Sequence, residues 1–186
     1  NKGYITKANH WLQHTIENFY DNEDGYFHYT SKQAEELIAR KKEIFDNVIP
    51  SSNGVMAKNL FYMGVIMDND EWKKISSEMV LKLSATIRTE PAYLSNWGIV
   101  YSENVSDFAE VVIVGKDAAS IRQEMVKEYL PFTVFMGTTT TSDLPLIKEK
   151  TSPNDKTTIY VCYNKTCKLP VHTVAEALQQ IKHYNR

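Results

Sequence analysis

Up to Asn104 the apolar residues of this chain recur at three- and four-residue steps, and beyond Asp107 they gather into short β-branched runs. No single residue constrains the fold as much as this change of period. A 3.6-residue repeat turns one stripe of a helix inward, whereas a bounded run such as AEVVIVG over 109–115 suits a strand covered on both faces. The chain is therefore expected to be α+β, with helical hairpins over 1–104 and a small α/β unit over 105–186.

In the first part, Tyr4, Ile5, Ala8, Trp11, Leu12, Ile16 and Phe19 mark one helix, closed by the turn formers Asp21, Asn22, Asp24 and Gly25. Tyr26 to Tyr29 read as a short extended piece, and Thr30 or Ser31 caps a helix over 32–39 that turns Ala34, Leu37 and Ile38 inward. After Pro50, the run Ser51, Ser52, Asn53 supplies N-caps for a helix over 54–67 with Met56, Leu60, Met63 and Met67 inward. Trp72, Ile75, Met79, Leu83 and Ile87 form the next stripe, and Pro91 opens a helix through Leu94, Trp97, Ile99, Val100 and Tyr101.

In the second part, strands are expected over 109–115, 131–137 and 158–162, with a helix over 118–129 after the first. A capping-box pattern, Thr173 to Glu176, starts a last helix carrying Val174, Ala177, Leu178, Ile181 and Tyr184. This order implies a three-stranded, mostly parallel sheet flanked by helices.

The composition, 42% hydrophobic and 24% charged with a formal net charge of -2, is that of a globular chain without the basic field that nucleic acid requires. No apolar run approaches the roughly 20 residues of a membrane helix, so no membrane partner is expected. The amphipathic start is unlike a signal peptide and the chain reads as soluble; its compartment is left open by the two cysteines, with the cytoplasm favoured. A helix that begins at once and without Met reads as a piece of something longer.

The polar groups concentrate in the segment 39–59, ARKKEIFDNVIPSSNGVMAKN, far more densely than a plain connection between helices needs. Arg40, Lys42, Asp46, Ser51 and Asn53 are read as the mouth of a pocket, with Asp46 the candidate general base or hydroxyl-binding carboxylate. Arg40 and Lys42 would keep Asp46 ionised if they lie close to it. Asn59, beside the buried stripe of the next helix, joins them as the polar group that most needs a partner. A competing reading has Asp46 bonding backbone N–H groups of its own turn while Ser51 and Asn53 act as caps. No second carboxylate at glycosidase spacing can be picked out.

Asp24, Gly25, Tyr26 and Phe27, then Arg40, Lys41 and Lys42, then Asp46 with Ile49, Pro50, Ser51, Ser52 and Asn53, and finally Tyr160, Val161, Cys162, Cys167, Pro170 and Val171, resemble the C-terminal end of the thioredoxin-domain-containing, spermatogenesis-associated protein family. The likeness runs from about Tyr4 to the end. In that family a thioredoxin-like domain precedes a barrel of the six-hairpin glycosidase type and a small α/β tail. The resemblance thus implies a partial (α/α) helical-hairpin barrel, a bound or processed carbohydrate, and as partners the thioredoxin-like domain and missing helices of the full-length chain. Asn47, Ser52 and Gly54 depart from the family's Asp-Gly and Pro-Ser-Gly-Asn-Ser loop while keeping the turn small. A non-catalytic scaffold module joined to a redox domain is the alternative, and a fragment alone is expected to lack activity and to expose apolar surface or self-associate.

Cys162 and Cys167 could be a disulfide or two thiols at a strand end, and beside a thioredoxin-like domain they would be a redox pair. Their spacing, with His172 and His183, is wrong for zinc, so no metal is expected. No cofactor motif is present either; a single Gly115 after the first strand is weak as a nucleotide-binding turn.

Overall fold

The computed structural model describes residues 2–34 and 39–181, and it divides into two compact units, 1–65 with 69–104 and 66–68 with 105–186. The first unit contains α1 (Lys2–Phe19), α2 (Ser52–Ile66), α3 (Asp70–Lys82), α4 (Ser84–Thr89) and α5 (Ser95–Val105). Its interior is built from Ala57, Leu60, Met79, Val80, Leu94, Trp97 and Val100, all fully or almost fully buried. Asn69 caps α3 by accepting from the Trp72 N–H at 3.1 Å, as an N-cap side chain does.

Two expected helices of this unit are interrupted by turns, α2 stops at Ile66 just before the expected Met67, and in the second unit the helix expected over 118–129 stops at Met125. Leu83 ends α3 with a tightened turn, its N–H donating to Val80 O at 3.0 Å, so Leu83 and Ile87 belong to a separate six-residue α4. Pro91 opens only the 3-10 turn Pro91–Tyr93, and α5 starts after it at Ser95. Residues 32–34 form a turn rather than the start of a helix; Leu37 and Ile38 lie outside the described residues.

The second unit contains β1 (Ala109–Val114), α6 (Ala118–Met125), β2 (Thr133–Thr138), β3 (Thr158–Tyr163), β4 (Thr166–Cys167) and α7 (Val174–Gln180). Strand order is β2-β1-β3-β4; β1 and β2 run parallel across the α6 crossover, while β1–β3 and β3–β4 are antiparallel. All six residues of β1 are buried, as a central strand covered on both faces requires. On one face Val111, Ile113, Ile159 and Val161 pack with Met125, Ala177 and Leu178. The capping box forms, with Thr173 accepting from the Glu176 N–H. Tyr184 and His183 lie outside the described residues.

These findings correct the expected architecture. The sheet has four strands and is mixed, not three-stranded and mostly parallel. Two physical features explain the difference. The segment 139–157 is long enough to bring β3 back in either direction, and an apolar run carries no sign of direction. The extra strand comes from a two-residue turn at Asn164 and Lys165, whose φ values of 46° and 68° give the twist that hairpins prefer. A partial (α/α) barrel is not seen either: the described residues form seven helices, and α4, with six residues, is too short to be a wall of such a barrel.

Candidate functional site

The polar loop lies against the start of α2, and its side chains meet backbone. Asp46 is buried, and its two carboxylate oxygens accept from Ser51 N and Asn96 N, each at 2.9 Å. One carboxylate thus sits at the N-terminal ends of both α2 and α5, where exposed N–H groups favour a negative charge. Ser51, fully buried, accepts from Gly54 N at 3.1 Å and from the Trp97 indole at 3.1 Å, while that indole also donates to Ile44 O at 2.7 Å. Asn53, also fully buried, accepts from Phe27 N at 2.7 Å and donates to Phe27 O and Glu43 O, each at 2.9 Å.

The basic residues of the loop turn elsewhere. Lys42 donates to Asp21 Oδ2 and Asp24 Oδ2, both at 2.6 Å, and Arg40 donates to Thr30 O. Neither is bonded to Asp46. The acidic turn therefore has Lys42 as its counter-ion, and the Lys42 hydrogen bond, followed by that from the Glu23 N–H, holds the Asp21 carboxyl well below the ordinary carboxylate range. His28 completes this cluster, its Nε2 lying 3.1 Å from the same Asp21 oxygen. Tyr26 is anchored by donating to Met79 O at 3.0 Å and by an edge-on contact with Trp97. Burial, then the Asp24 charge, pushes its hydroxyl up to about 12.

Asn59 is exposed, not buried, and lies in a groove between α1 and α2. Two hollows of about 200 and 340 Å³ share Thr15 and Met56 and extend from His28 and Tyr29 to Ala8 and Trp11. Trp11 is 61% exposed there, and α1 as a whole buries only Leu12 and Asn18.

Two features escaped the sequence reading. The Asp21, His28 and Lys42 cluster joins a turn to a basic run, and the acid-rich turn facing a nearby ARKK run is the signal that could have paired them. Glu103 is 3% exposed and accepts from the Tyr62 hydroxyl at 2.8 Å. It stands at the three-residue step after Trp97 and Val100, so the α5 stripe itself directs a charge inward. Burial, then the hydrogen bond to Glu103, drives the Tyr62 hydroxyl far above the ordinary tyrosine range.

Cys162 and Cys167 are joined in a disulfide and are direct partners across β3 and β4. The neighbouring bond from Lys168 N to Val161 O, at 2.9 Å, places them at a non-hydrogen-bonded position, where opposed side chains come closest. Cys162 is buried and Cys167 exposed.

No family model matches the chain. It is 24% identical over 176 residues to spermatogenesis-associated protein 20 of Rattus norvegicus, a match covering 89% of this chain and 22% of that protein. Against the mouse protein of the same name, from Mus musculus, it is 24% identical over 169 residues, covering 86% and 21%. The chain is a distant relative of these proteins. It spans about a fifth of the length of either. The likeness agrees with the family resemblance drawn from the residues and carries neither a barrel nor carbohydrate chemistry.

Proposed function

We propose that this chain is a non-catalytic interaction module, and that the α1–α2 groove receives an apolar helix from the remainder of a longer polypeptide. The observation that carries this reading is the poor coverage of α1, an 18-residue helix that buries two residues and leaves Tyr4 and Trp11 more than half exposed. A helix with such a stripe gains stability chiefly by covering it. The relatives extend far beyond the matched segment, which makes the rest of such a chain the natural source of the cover. The family resemblance adds a thioredoxin-like domain to that remainder.

Saccharide binding at the polar loop is the competing reading. The engagement of Asp46, Ser51 and Asn53 with backbone groups favours the interaction module, because those polar atoms are already used in holding the helix ends. The 186-residue chain should bind an apolar-surface dye and associate with itself in light scattering, and Trp11→Glu should reduce both several-fold. A monomer that binds no dye would overturn the proposal. Saturable binding of unmodified saccharides by the helical unit would favour the competitor.

A further inference from the structure

The second unit has a crevice that the interaction reading does not use. Because β1 and β2 are parallel, they end at the same edge of the sheet, Val114 beside Thr138, with Gly115 N donating to Thr138 O at 2.9 Å. Open α/β sheets take ligands outside the carboxyl ends of their strands, where the following loops diverge. Gly115 leaves β1 with φ at 133°, and a Cβ added there would stand 2.6 Å from Thr157 Oγ1. Only glycine lets the chain turn this close to the 139–157 segment. Beyond the turn lies a crevice of about 540 Å³, within the usual range for small-molecule sites.

The walls of the crevice have a definite chemistry. Lys116 and Lys150 bring two ammonium groups, Thr139, Thr140, Thr141 and Thr151 bring hydroxyls, and Asp155 brings a single carboxylate. Among the described residues neither lysine forms an ion pair; Lys150 Nζ donates to Leu146 O at 2.7 Å. Burial holds Lys150 below the ordinary lysine value, while the Glu110 and Glu149 charges pull it upward. Asp117, next to the glycine turn, is occupied by the Thr157 hydroxyl at 3.1 Å. Among the described residues no aromatic ring lines the crevice, and a nucleobase would find none of them to stack on.

We propose that this crevice binds a sugar phosphate, with Lys116 and Lys150 on the phosphate and Asp155 and the threonine hydroxyls on the sugar hydroxyls. Two ammonium groups match a doubly charged phosphomonoester. A carboxylate can only accept, so Asp155 suits a ligand that carries donors of its own and would repel bare phosphate. The site is independent of the α1–α2 groove.

The test is a titration followed by amide NMR on the 186-residue chain, using glucose-6-phosphate, ribose-5-phosphate, inorganic phosphate and unphosphorylated glucose. At least one sugar phosphate should give saturable shifts confined to the neighbourhood of Lys116, Thr140 and Thr151, with inorganic phosphate and glucose each weaker by about tenfold or more. Lys116→Gln, at an exposed position, should weaken binding by about tenfold while leaving the spectrum folded. Asp155→Asn should narrow the gap between sugar phosphate and inorganic phosphate. The proposal fails if neither sugar phosphate saturates, if the shifts spread over surface lysines generally, if inorganic phosphate binds as tightly, or if folded Lys116→Gln binds unchanged.

Discussion

Asn53 offers the sharpest test of how the polar loop works. The substitution Asn53→Ala removes an acceptor for Phe27 N and a donor shared by Phe27 O and Glu43 O, all in a fully buried position. Three backbone groups are left without that partner, and each buried orphan costs about 1–3 kcal/mol. Water entering the truncated space recovers part of this, which leaves a net loss of about 3 kcal/mol, a large share of the roughly 5–15 kcal/mol that holds a domain together. With a urea slope of about 2 kcal/mol/M, the midpoint should fall by about 1.5 M. Trp11, Trp72 and Trp97 all lie in the helical unit, so tryptophan fluorescence reports its unfolding. Asn53→Asp should be at least as damaging at neutral pH, since a carboxylate would face the two carbonyls. Asn59→Ala, on the exposed side of α2, should change stability by less than about 0.5 kcal/mol. A loss below about 1 kcal/mol for Asn53→Ala, or equal losses at 53 and 59, would refute the reasoning.

Two further outcomes follow from the charge cluster and the hairpin. The Asp21 carboxyl titrates lower in the folded state than in the unfolded chain, so its contribution is full above about pH 4 and is lost as pH falls toward its folded value. Urea midpoints measured between about pH 4 and pH 2 should therefore fall less steeply for Asp21→Asn than for the parent; parallel slopes would contradict the assignment. Replacing Cys162 and Cys167 together by Ser should cost about 2 kcal/mol in the second unit, from loop-closure entropy for so short a loop. A thiol reagent should find no reactive thiol before reduction and two after it.

The sequence made the helices legible wherever a stripe was anchored by large side chains. Trp72, Ile75 and Met79 face inward on α3, and Leu60 and Met63 on α2, because the period alone fixes which residues share a face. It was less informative where a partner is remote. The bond from Asp46 to Ser51 N could be anticipated from the local turn, whereas Asn96 N, fifty positions on, could not. Strand direction was hidden for a similar reason, since Thr158 to Cys162 reads the same in a parallel or an antiparallel sheet. β4 went unnoticed because its turn has Lys165 where a glycine usually advertises such a hairpin. The lysines and threonines of the crevice come from segments that only the sheet brings together, and Gly115 was the sole local sign of it.

The amide of Asn53 also sets an order of events during synthesis. The segments around Phe27 and Glu43 are already paired by Lys42 on Asp21 and Asp24, by Arg40 on Thr30 and by Tyr29 N on Lys41 O, and Asn53, arriving later, fastens both to the start of α2. A nascent chain from which residue 53 had not yet emerged would hold the two segments against each other but lack the amide that seats them on α2.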